Sequence, residues 1–269
     1  MAFSFDPAVI MLLLGATALY VRAIRILRRR GHSVSRAQQA AWHAGVGLTA
    51  VALLGPFDRY GEELMSAHMA QHLLVADLAA PLLLIGLRTP VLLFWLPRPA
   101  LVALARSRLR GVFRSLRRPL PAVAVYVAVL YGWHAPALFE GALGNDLLHA
   151  LQHESFVFAS LLVWWPALEP KRRRLRGELW KAGHIIGARF SGMFLGMFFV
   201  IAGSVLYSGW YGEGERALGL SPLLDQQIAG GLMLLVDAVT MFVALGFFFW
   251  RSAQDHDIAE ARERAAVAR

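Results

Sequence analysis

The sequence predicts an all-α fold: a polytopic membrane helix bundle of seven transmembrane helices, with the N-terminus outside and the C-terminus cytoplasmic. Three observations predict it. Hydrophobic residues make up 57% of the 269 positions and charged residues 17%, against about 45–50% and about 25% in soluble domains. Seven apolar runs approach the roughly 20 residues that a spanning helix needs. Lys and Arg concentrate in alternate connections between those runs, as the positive-inside rule expects.

The runs follow one another as Pro7–Leu27, Ala37–Leu54, Ala67–Leu87, Leu120–Phe139, Asp146–Leu168, Phe190–Ser208 and Pro222–Trp250. The first is read as a retained helix. Its charge, Arg22, Arg25 and Arg28 to Arg30, follows the apolar stretch, whereas a cleavable signal carries charge before it. Residues 1–250 form the transmembrane domain and 251–269 a cytoplasmic tail, with a short solvated helix over Asp257–Arg269. Val91–Leu116 mixes arginines with apolar residues around Pro97 and Pro99. It reads as an interfacial amphipathic segment on the cytoplasmic leaflet, and Lys171–Ala188 reads similarly.

The formal net charge of +9 therefore acts as a topology ruler and not as a nucleic-acid footprint. All of the 27 Lys and Arg except Arg59 and Arg216 are placed on the cytoplasmic side. The opposite loops are acidic, with Asp58, Glu62, Glu63, Glu140, Glu213 and Glu215. The chain has no cysteine, which removes disulfides, thiolate metal sites and cysteine nucleophiles.

Depth along the helices sorts the nine histidines. His68 and His72 lie at the outer start of the third run, His149 and His153 at the outer start of the fifth. His134 lies about five residues, or roughly 8 Å, inside the outer end of the fourth. Asp225, at the outer start of the seventh, shares that slab. Residues four apart stack on one helical face, so each pair can share a metal or line one pocket. Imidazole suits zinc, copper, iron and nickel, and polar groups inside a membrane are costly enough to mark function. The expected metal ligands are His68, His72, His134, His149, His153 and Asp225. Met69, Met233, Glu154 and Gln226 are secondary candidates. Neither histidine pair carries the glutamate of a zincin motif, and histidine with methionine favours copper. Asp77 and Asp237, near mid-membrane, are read either as proton or ion relays or as helix contacts. His32, His43, His184 and His256 are left outside the site.

These segments resemble the CtaG family, assembly factors of caa-type cytochrome c oxidases. The resemblance rests on His68-Met69-Ala70-Gln71-His72 with Ala80-Pro81-Leu82-Leu83, and on Trp133-His134-Ala135-Pro136. It extends to His149, His153-Glu154 and Trp164-Trp165-Pro166, to Tyr207 and Tyr211, and to the run Asp225–Met233. Leu234 stands where the family often has tryptophan, and Asp237 is unusual there. The resemblance implies a non-enzymatic, multi-pass protein of the bacterial plasma membrane. It implies that the protein helps place copper in the oxidase catalytic subunit, with periplasmic or extracellular copper donors as further partners. A haem protein, a zinc-dependent membrane hydrolase with Asp225 as base, and a copper transporter remain the alternatives. Metal held by imidazoles is expected to weaken below roughly pH 6.5, where the ring protonates.

Overall fold

The computed structural model describes residues 6–168, 177–212 and 217–267, all helices and connections, with no strand among them. The basic residues Lys171 to Arg174 and Arg176, the expected outer-loop residues Glu213, Glu215 and Arg216, and Arg269 lie outside the described residues.

Helix α1 (Pro7–Arg29) starts under an Asp6 cap and packs Tyr20 flat on Trp42 of α2 (Arg36–Leu54), ring centroids 4.5 Å apart. A short α3 (Pro56–Gly61) leads into the third long element. That element is α4 (Met65–His72), a π-helical segment (Leu73–Ala79) and α5 (Ala80–Gly86) in unbroken succession. Pro81 follows the π segment directly. In an i→i+5 ladder its missing N–H would leave the Ala76 carbonyl without a donor, and the Ser160 hydroxyl donates to that carbonyl at 2.6 Å.

Val91–Leu116 forms three short helices, α6 (Val91–Trp95), α7 (Arg98–Arg106) and α8 (Leu109–Leu116), none longer than nine residues. The expected fourth span is bent. Helix α9 (Pro119–Trp133) stops and α10 (Pro136–Leu143) leaves it at 71°. Pro136 is the cause, since proline disfavours helix in the residue before it and cannot complete the ladder. His134 therefore caps α9 in the break and does not lie within a continuous helix.

Helix α11 spans Asp146–Leu168 and α12 spans Glu178–Ile201. Helix α12 begins twelve residues before the expected sixth span and ends before Ser208, so most of the expected interfacial segment up to Ala188 is part of this helix. Arg189, expected among the cytoplasmic charges, is consequently an interior residue, 1% exposed. A single turn, α13 (Ser208–Tyr211), precedes α14 (Pro222–Val267), which runs for 46 residues without interruption. The tail expected to carry a separate helix continues this one.

Among the described residues, four helices are long and apolar enough to cross a membrane: α1, the α4–α5 element, α12 and α14. The bent α9–α10 pair makes a fifth if it is one span. The other two expected spans fall on α2 and α11, of 19 and 23 residues. These carry Gln38, Gln39 and His43, and His149, Gln152, His153 and Glu154, which lower their hydropathy.

The most extensive helix pairing is α12 with α14. Glycine permits it: a Cβ on Gly230 would stand 2.5 Å from the Gly196 carbonyl oxygen and 2.8 Å from Phe199 Cβ. Small residues let membrane helix backbones approach in this way.

Candidate metal centre

Four of the five candidate imidazoles meet at one end of the bundle. The α4 pair His68 and His72 has Nε2 atoms 2.7 Å apart. The α11 pair faces them, with the His149 ring 5.2 Å from His68 and nearly parallel to it, and the His153 ring 4.6 Å from His72. Within α11, His149 and His153 are 4.4 Å apart. One ligand nitrogen from each of His68, His72 and His149 lies within 4.8 Å of the others.

The group is walled by Phe139 against His68 and Phe156 against His72. In this setting His68 Nδ1, His149 Nε2 and His153 Nε2 are buried and make no hydrogen bond within the protein. Buried polar atoms are rarely left in that state. Several lone pairs gathered this closely are what a metal–nitrogen shell of about 2.0–2.1 Å uses, after small side-chain rotations.

His134 is separate from this group. Its Nδ1 lies 2.7 Å from the Leu130 carbonyl. Because a carbonyl only accepts, Nδ1 carries the proton, and the unpartnered Nε2 is the lone-pair nitrogen, the tautomer that a second-shell acceptor sets in metal sites. His134 and His72 line one small cavity of about 30 Å³, shared with Met69 and Met233. That is room enough for a water molecule.

Asp225 does different work from a metal ligand. Its Oδ2 accepts from Met65 N at 2.7 Å, and its Oδ1 accepts from Ser66 N at 3.1 Å and from the Ser66 hydroxyl. It is the N-terminal cap of α4, supplied from 160 residues away, where both the open N–H groups and the helix dipole favour an anion. Asp225 thus holds the helix that presents His68 and His72. Gln226 is likewise a clamp: its Oε1 accepts from Leu206 N at 2.8 Å, and its Nε2 donates to the Ser204 carbonyl at 3.2 Å. Glu154 is exposed, turned away from the imidazoles.

The loop over this end is tied down by its aromatics. The Tyr207 hydroxyl donates to the His134 carbonyl at 2.9 Å, and its ring stacks on Phe139 at 3.8 Å. The Tyr211 hydroxyl donates to the Gly61 carbonyl at 2.5 Å. The four histidines excluded from the site are engaged elsewhere. His32 bonds the Arg30 carbonyl, His43 meets the edge of Tyr20, His184 bonds the Val163 carbonyl and His256 pairs with Glu260.

Sequence reasoning missed Arg189. Its Nη1 donates to Asp77 Oδ1 and to the Tyr126 hydroxyl, each at 2.6 Å, and its Nε lies 2.9 Å from Asp237 Oδ1. The signal was present: two acids in separate spans need a cation, and Arg189 interrupts an otherwise apolar stretch. The π segment makes the arrangement possible. In an α-helix Asp77 would face about 140° away from His72, whereas the i→i+5 register brings both to the same cavity.

No curated protein and no solved structure matches the chain. The family described as cytochrome c oxidase caa3 assembly factor (Caa3_CtaG) matches it over residues 18–255, and the chain belongs to that family.

Proposed function

We propose that the chain is a seven-span protein of the bacterial plasma membrane, N-terminus outside and C-terminus cytoplasmic, that carries copper for cytochrome c oxidase assembly. Copper is its cargo. It is taken from a periplasmic or extracellular donor, held by His68, His72, His149 and His153, and passed to the oxidase catalytic subunit. His134, across the cavity, is a resting point for the ion in transit. Family membership supports a role in assembly. The single observation that carries the copper reading is the group of four touching imidazoles with unpartnered buried nitrogens.

The same geometry weighs against the alternatives. A haem needs a porphyrin plane between axial ligands, and here the rings of the two helices are 4.6–5.2 Å apart. A zinc hydrolase needs a free base, and both oxygens of Asp225 are occupied by the start of α4. A role in assembly, which the family description gives, asks for metal holding and no catalysed step.

The test is complementation of cells lacking this chain. The double change His68→Ala/His72→Ala is expected to leave the protein in the membrane while the oxidase matures without its copper. Normal copper content in the oxidase of those cells would overturn the proposal.

A further inference from the structure

The cavity lined by His72 and His134 borders a buried ion network that copper holding leaves unused. Asp77, Arg189 and Asp237 are 9%, 1% and 2% exposed, and Asp77 and Asp237 line the cavity together with Tyr126. The chain makes room for the network at Gly192, where a Cβ would collide with Asp237 Oδ2.

An unbalanced buried charge is expensive, and here two carboxylates face one guanidinium. The other titratable groups lining the cavity are His72 from α4, His134 from the α9–α10 break and Tyr126 from α9, while α11 contributes only Phe156. Asp225, three turns earlier on α14, is bound to the backbone of α4. With both carboxylates ionised the network bears one negative charge in excess. The histidine group has the opposite deficit. Neutral imidazoles offer lone pairs and no charge, so a bound cation brings its whole positive charge into the bundle.

We propose that the Asp77–Arg189–Asp237 network is the exchangeable counter-charge of the histidine site: it holds one proton when no cation is bound there and releases it when a monovalent cation enters. The inference rests on the metal-site reading and adds a coupling to it. In the exchange the O–H bond of one carboxylic acid breaks and its proton passes to water at the cavity. Metal–nitrogen bonds form, and nothing is oxidised or reduced. Charge closes for a monovalent ion and leaves one positive charge over for a divalent one, so the network favours copper(I) over zinc(II).

The experiment titrates the full-length protein in detergent with silver(I) nitrate, a redox-stable monovalent probe, in weakly buffered solution at about pH 7.5, where imidazoles are ordinarily neutral and release nothing. The wild-type protein is expected to release about one proton per bound ion, and Asp237→Asn to release none while binding at least about tenfold more weakly. Silver binding by the wild type without proton release overturns the counter-charge inference alone, as does unchanged release from both Asp77→Asn and Asp237→Asn. No binding of silver or copper by the wild type overturns the site reading beneath it. The wild-type proton count is informative even if a variant does not fold.

Discussion

Asp225 shows how one side chain in the right slab can be other than a ligand. Its carboxylate replaces the missing cap of α4 and satisfies two backbone N–H groups and a hydroxyl, all buried. Asp225→Ala strands those donors, and each buried unsatisfied donor costs about 1–3 kcal/mol. The expected result is a protein destabilised by at least about 2 kcal/mol, seen as a lower unfolding midpoint. Asp225→Asn keeps an acceptor and is expected to retain most of the stability and most of the metal uptake. Were Asp225 a ligand, Asn would remove uptake and leave the midpoint in place. The sequence placed this residue near the histidines but not in its role, because the helix start it caps lies 160 positions away. The two i,i+4 histidine pairs were legible for the opposite reason, since their spacing is a local property of one helix.

At the level of elements, the third helix presents His68 and His72 from its α-helical start and changes register just after them. In its π segment a serine from α11 donates to the carbonyl that Pro81, lacking an N–H, cannot serve. Ser160→Ala is expected to leave the Ala76 carbonyl unpaired at a cost of about 1–3 kcal/mol and to loosen Asp77 from Arg189. Unfolding midpoints and hydrogen exchange across residues 73–79 measure both effects. Full protection of that segment in the variant would show that the hydroxyl does not hold the register. An apolar run located this helix, but a π turn leaves no mark in such a run. Arg189 was lost similarly: an isolated cation reads as a span boundary until the two acids that neutralise it are seen to face it. The break at Pro136 was written in the sequence, yet its consequence, a 71° bend that puts His134 in the corner, depends on how α10 packs.

For the whole molecule, the alternating charge expects acidic loops outside, with the histidines near them, and basic connections inside. The absence of cysteine makes this measurable with single introduced thiols and no background. Glu62→Cys is expected to react with a membrane-impermeant maleimide in intact cells, and Ser107→Cys only after the membrane is opened. The reverse pattern would invert the bundle and put the histidines on the cytoplasmic side. Membrane class was legible in the composition, and the helices in the apolar runs. Which helices face each other was not, because that choice rests on close contacts such as Gly196 with Gly230 and on buried pairs drawn from distant segments.

The central claim is that the four facing imidazoles hold copper, and metal content of the purified full-length protein after exposure to copper(I) tests it most directly. At least about one copper per chain is expected for the wild type, and almost none when His68, His72, His149 and His153 are replaced together by alanine. Copper content unchanged by that replacement, or absent from the wild-type protein, would contradict it.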